Sequence, residues 1–299
     1  KHKRFCSFCG HGFDFLPEAS CRIMASDHRS RLIVNADDFG RSATINLAVI
    51  KAHREGILTT ASLMVNEPAA EEAIQMAREN PNLGVGLHLA LCCGRSALPQ
   101  EEIPHLSSTH GRFSDNPVTT GMKLYFSPRA KEELKIELDE QFRRFHATGL
   151  TMDHVNGHLN IHLHPVVIRM LMENAERWKI RAMRLTRDPF RFNSRLAKGA
   201  WLYKIFHSVI YHLLSCRALS QLESKGIKHT RFVFGLLQNA QVDEKYLEAL
   251  IRALPPGDHE VYSHPSLDKF KNEFEALISP KMKNILQEKN VRLIRYQDL

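Results

Sequence analysis

The chain has 299 residues, 43% hydrophobic and 25% charged, a balance that suits a folded α/β protein with a substantial core and excludes disordered and fibrous classes. Its formal charge of +8 comes from scattered Lys and Arg without an aromatic-interleaved basic motif, which argues against nucleic-acid binding. No apolar run reaches the roughly 20 residues of a membrane span, and the start lacks the apolar core of a signal peptide, so a cytoplasmic protein is expected.

Residues 1–30 are irregular and are expected to form a loosely ordered extension ahead of a single domain over 31–299. Cys6 and Cys9 have zinc-knuckle spacing with His11 and Cys21 nearby, but a well-formed second ligand pair is missing. Adjacent Cys92 and Cys93 and an isolated Cys216 do not make a disulfide framework, which fits a reducing compartment.

From residue 31 the pattern becomes regular. "RLIVNA" (31–36) reads as a buried strand, and Ser42 caps a helix over 43–55 that Gly56 closes. "TTASLMVN" is a strand, Pro68 opens a second helix, and "LGVGLHLAL" is a strand. Residues 94–128, rich in Pro, Gly and Ser, read as a long connection. A long amphipathic helix follows over 129–149, then the strand "TMDHV", a helix over 165–179 and the strand "RAMRL". The stretch 194–225 is helical and unusually apolar. "TRFVF" (strand), 243–254 (helix), "HEVYS" (strand), 271–289 (helix) and "VRLIR" (strand) complete the chain.

Strands alternating with helices predict parallel β-α-β units. No glycine-rich phosphate fingerprint follows the first strand. The expected fold is therefore α/β, a single parallel β/α barrel-like domain related to the TIM barrel in distorted form, ahead of an open doubly wound sheet.

In a barrel, chemistry gathers at the C-terminal ends of the strands. "NADDFG" places Asp37 and Asp38 there, "VGLHL" supplies His88, "DHVNGH" supplies His158 and "VYSHP" supplies His264. Neighbouring carboxylates can divide two jobs, one holding a metal while the other takes a proton from water. Two imidazoles and a carboxylate leave open positions, as catalytic metal sites do, and His264 is placed to protonate a leaving group. Each feature alone has an ordinary explanation: an Asp-Asp turn, a hydrogen-bonded core histidine, a loop. Their recurrence at four strand ends favours chemistry. Within "DHVNGHLNIHLHP", His154 and His164 read as structural, while Gly157 frees His158 to turn toward the aspartates.

These motifs in series, with "LIVNADDFG", "GVGLHLAL", "HVNGH…H…HP", "SHP" and "VRLIRYQDL", resemble the YdjC/ChbG carbohydrate deacetylases over residues 31–299. "PRAKEELKIELDEQFRRFHATGL" and "RFVFGL" further resemble the hopanoid-biosynthesis-associated branch of that family. The resemblance implies metal-dependent removal of acetyl from an N-acetylated amino sugar. It makes Asp37 the general base and Asp38, His88 and His158 the ligands of one divalent ion, Mg2+ or Zn2+. It makes His264 the general acid, and His162 and Arg184 are expected to contact the sugar. The branch implies N-acetylglucosamine on a hopanoid lipid, with soluble chitooligosaccharides as the alternative. This chain has Asn156 where many members carry Asp, and Leu159 and Asn160 where a further His is common.

Trp201, Leu202, Ile205, Phe206, Val209, Ile210, Leu213 and Leu214 follow helical spacing. The first reading is a helix packed by this stripe on the barrel; the second is a surface that holds a glycolipid or rests on the inner face of the membrane. A homodimer is a further possible partner. Two other classes compete: a non-haem iron oxygenase, which shares the two-histidine-one-carboxylate set, and a sugar- or lipid-binding protein without catalysis.

Overall fold

Side-chain alternation along β1 (Ser30–Phe39) sorts the molecule into an outside and an inside. Leu32, Val34 and Ala36 join the main apolar core beneath the helices. Ile33 falls in a separate small cluster with Ala182, Ile294 and Tyr296, and Asn35 and Asp37 share its face. The computed structural model describes residues 30–299 except Thr109, Lys198 and Asn239; the expectations for Cys6, Cys9, His11 and Cys21 lie outside the described residues.

The other strands are β2 (Thr60–Leu63), β3 (Gly84–Leu89), β4 (Met152–Gly157), β5 (Phe232–Phe234), β6 (Gly257–Ser263) and β7 (Arg292–Leu293). They run parallel in the order β4-β3-β2-β1-β6-β5, with β7 beside the start of β1. The sheet curls into a half-barrel, as a distorted barrel-like fold requires. Beyond β4, "RAMRL" supplies only isolated parallel bridges, Val155 with Met183 and Ala182 with Lys228. The chain leaving Lys228 runs on into β5, so these thin bridges span the gap between the two edges of the sheet.

The helices are α1 (Ala43–Glu55), α2 (Ala70–Arg78), α3 (Pro117–Phe126), α4 (Pro128–Ala147), α5 (Pro165–Glu173), α6 (Phe190–Leu196), α7 (Trp201–Ser224), α8 (Glu244–Ala253), α9 (Lys271–Ile278) and α10 (Pro280–Glu288). Ser42 caps α1 by accepting from the Ile45 amide at 3.4 Å, and Gly56 ends it. Two boundaries differ from expectation for a shared reason, proline. Pro117 starts α3 inside the stretch read as loop, with the Asn116 side chain accepting from the Val118 and Thr119 amides. Pro280 divides the expected 271–289 helix, because its nitrogen cannot donate to the preceding turn. The rest of the long connection is tied down by carboxylates: Glu137 accepts from the amides of Ala97 and Leu98, and Glu133 from those of His105 and Leu106.

α7 corrects the first reading of its apolar stripe. The face turned inward carries Lys204, Ser215, Ala218 and Leu222, and polar groups anchor it to backbone carbonyls. Lys204 donates to Ala197, Ser215 to Thr186, Tyr203 to Leu236 and Tyr211 to Leu159. The apolar stripe faces outward, with Leu202 86%, Phe206 63% and Leu213 64% exposed.

Candidate active site

Consecutive residues of a strand point to opposite faces, so an extended Asp37-Asp38 pair would be split by the sheet. The backbone solves this at one torsion. Asp38 takes a left-handed φ of 65°, which Asp tolerates better than most residues, and Gly40 follows at 93°. Both carboxylates then reach the C-terminal mouth of the curl, where they line one cavity with His158 and His264.

Asp38, His88 and His158 come together as a buried group whose candidate ligand atoms all lie within 4.8 Å of one another. β3 carries His88, and His158 follows β4 directly. The tautomer of His88 is set by Asn156. The amide of Asn156 donates from Nδ2 to Asp37 Oδ1 (3.3 Å) and Ser62 Oγ (2.8 Å), leaving Oδ1 to accept from His88 Nδ1 at 2.7 Å. His88 Nε2 therefore carries a lone pair, is buried without a partner, and lies 3.4 Å from Asp38 Oδ1. Two electron-rich atoms facing each other in a buried site call for a cation between them. The residues present fit a divalent ion, and the carbonyl of Asn156 does the orienting that a carboxylate would do elsewhere.

His158 Nδ1 donates to Asp38 Oδ1 at 2.9 Å, because its Nε2 faces the obligate donor Arg41 Nη1 at 3.3 Å. The same guanidinium donates to Asp38 Oδ2 at 2.9 Å. Burial alone would raise the Asp38 carboxyl, but His158 beside it holds it well below the usual carboxylate range. We expect His158→Ala to abolish tight binding of divalent cations, read by isothermal titration of the chelated protein. Unchanged affinity would remove His158 from the ligand set.

Asp37 is held differently. Arg184 donates to both its oxygens, at 2.8 and 2.9 Å, and Asn35 adds a third bond at 2.8 Å. Burial would again raise its pKa, but Arg184 keeps the carboxylate ionised and well below its ordinary range. Arg184 is also bonded to Glu260 through Nε (2.9 Å) and Nη2 (2.7 Å), and lies over the Tyr262 ring at 4.3 Å. The network continues: the Tyr296 hydroxyl donates to Glu260, and the Tyr296 ring stacks on His154, which bonds Ser62 and Asp153. Gly86 permits this arrangement, since a Cβ there would sit 2.5 Å from the His154 ring.

The expected sugar contacts of His162 and Arg184 need correction. Both are fully buried and neither lines the cavity. His162 donates from Nε2 to the Arg184 carbonyl at 3.0 Å, and burial, with the neighbouring guanidinium, pushes its pKa down to about 3. They act behind Asp37. His154 is a buried member of the interior network, and His164 caps α5 by accepting from the Val166 amide at 3.3 Å; both are structural, as read.

His264 stands across the cavity. Its Nδ1 is 3.8 Å from Glu273 Oε2, an ion-pair distance, and its amide donates to the same carboxylate at 2.6 Å. Burial would lower its pKa; Glu273, Asp38 and Asp37 outweigh that and push it up to about 9. The cavity encloses about 760 Å³, and Tyr203, His207, Tyr211, Leu236 and Phe270 are among its walls. These wall residues and Arg41 escaped the sequence reading. Arg41 had one available signal, its position three residues past Asp38 in a strand-end turn.

Fold and site together define an α/β enzyme scaffold with a metal-competent group, a separate carboxylate and a cationic histidine around one sugar-sized cavity. A model of the YdjC-like protein family matches residues 31–288, and the chain belongs to that family. A carbohydrate deacetylase of Brevibacillus brevis is 39% identical over 150 residues, half of this chain and 57% of that protein. One from Geobacillus stearothermophilus is 40% identical over 148 residues, again 57% of its length. The chain thus matches little more than half the length of these two. The carbohydrate deacetylase of Clostridium beijerinckii is 28% identical over 278 residues, spanning 90% of this chain and 100% of that protein. A crystal structure from Enterococcus faecalis, described as a putative cellobiose-phosphate cleavage protein, shares the fold with a TM-score of 0.70 at 21% identity, over 90% of this chain and 98% of that one.

Proposed function

We propose that the chain is a carbohydrate N-deacetylase that hydrolyses the acetamide of an N-acetylated amino sugar, with Asp38, His88 and His158 holding a divalent metal. The observation that carries this reading is the unpartnered lone pair of His88 facing Asp38, beside a second carboxylate held ionised by Arg184. A bound divalent cation supplies Lewis acidity, polarising the amide carbonyl and making water more acidic. Asp37 accepts the proton of the attacking water; Arg184 and Asn35 fix which way its oxygens face. His264, cationic beside Glu273, donates its proton to the departing amine. Tyr203, Tyr211 and Phe270 supply the aromatic faces on which a pyranose ring packs.

The family members named carbohydrate deacetylases support this activity, and the likeness to the hopanoid-associated branch extends it to N-acetylglucosamine carried on a hopanoid lipid, cleaved at the inner face of the membrane. Mass spectrometry of the glycolipid, with chitooligosaccharides alongside, tests both levels. Loss of the mass of one acetyl group from the glycolipid alone supports the lipid substrate, loss from the oligosaccharide alone keeps the deacetylase and discards the lipid, and loss from neither overturns both.

A pH dependence follows in the metal-free protein. His264 has a folded pKa of about 9, above its ordinary 6.5. The stability it contributes is fully present below pH 6.5 and is lost as pH rises through 9. The gap in melting temperature between wild type and His264→Gln should therefore close between pH 6.5 and 9.5 or so; a gap independent of pH would refute the ion pair with Glu273.

A further inference from the structure

The outward face of α7 has no partner among the described residues, and α3 presents a second one. Val118 and Phe126 of α3 are 71% and 67% exposed, with Met122 and Tyr125 between them. The two helices border the same opening: Pro117 begins α3 at the cavity wall, and Tyr203, His207 and Tyr211 are the wall residues of α7. Leu159, half exposed, is another wall residue, and its carbonyl accepts from Tyr211 of α7. Large apolar side chains scattered singly over a surface are ordinary; two helices presenting them around one mouth are not.

The charge around this surface selects what covers it. No Asp or Glu occurs from 189 to 222, whereas Arg191, Arg195 and Arg217 do; none occurs from 116 to 131, which holds Lys123, Arg129 and Lys131. Lys123, Arg129 and Arg195 are exposed. A second copy of the chain would bring like charges together, while an anionic bilayer offers both an apolar interior and complementary headgroups. No helix of the described residues is long and apolar enough to cross a membrane, so contact would be along the surface.

We propose that α3 and the first half of α7 form a docking surface for anionic lipid bilayers, which sets the cavity mouth at the membrane. The proposal goes beyond the deacetylase reading and does not depend on it. The test is co-sedimentation of the full chain with vesicles of phosphatidylcholine, with and without phosphatidylglycerol. Binding should require the anionic lipid, weaken in high salt, and fall on the order of tenfold or more in Leu202→Ser/Phe206→Ser and again in Val118→Ser/Phe126→Ser. Circular dichroism melting of each variant shows that it has folded, and charge reversal at Lys123 and Arg195 provides a second route that spares the apolar side chains. Absence of pelleting, or pelleting that none of these variants reduces, overturns the proposal. So does a wild-type dimer that Leu202→Ser/Phe206→Ser converts to monomer, which would assign the face to a second copy.

Discussion

Asp37→Asn should leave the protein folded and able to bind a divalent cation while kcat falls by about 10²–10⁴-fold, the usual worth of a positioned general base. The substitution keeps the shape of the side chain and one acceptor for Arg184, and leaves Asp38, His88 and His158 untouched. It removes the buried carboxylate that lies beside the metal set without belonging to it. Elemental analysis gives the metal content, and acetate release under saturating substrate gives kcat. Full activity with full metal would shift the role of base to another group; lost metal would mean that Asp37 belongs to the ligand set. A KM close to that of wild type is also expected, because Asn fills the same volume.

The second large effect lies behind the site. Arg184 is fully buried, with two carboxylates sharing its guanidinium. Arg184→Met leaves Asp37 and Glu260 without their cation, and breaking a buried pair from one side costs about 3–5 kcal/mol. Denaturant unfolding followed by circular dichroism should show a loss of that size at neutral pH. The loss should shrink as acid neutralises Asp37, whose depressed folded-state pKa contributes stability present above its unfolded value and lost as pH falls through the folded one. Arg184→Lys should recover part of the stability but less of the rate, because an ammonium cannot hold both Asp37 oxygens as a planar fork does. If Arg184→Met unfolds with wild-type stability, the interior network is not the support of Asp37 described above.

Much of this was legible in the sequence because it is local. Ser42 and Gly56 bracket α1, the strand ends present Asp37, Asp38, His88, His158 and His264 in order, and His154 and His164 read correctly as structural. What was not legible depends on direction or on distance along the chain. The periodicity of Leu202, Ile205, Phe206 and Val209 fixes a stripe but not the way it faces; that is decided by the hydrogen bonds of Lys204, Ser215 and Tyr203 on the other side. Arg184 was singled out but given the wrong task, because its partners Asp37 and Glu260 lie 147 and 76 residues away. The residue type at Asn156 does not by itself tell what the side chain bonds. In place, it is a carbonyl that aims His88.

The order of site residues along the chain has a consequence for how such proteins diversify. Every candidate ligand of the ion, together with Asp37, lies before residue 160, whereas Tyr203, His207, Tyr211, Leu236, His264 and Phe270 all follow residue 200. The candidate metal set and the tyrosines and phenylalanine of the wall are thus inherited on separate stretches of sequence, with His264 on the later one. Drift among the later wall residues, with His264 kept, can alter glycan preference while the metal set stays unchanged.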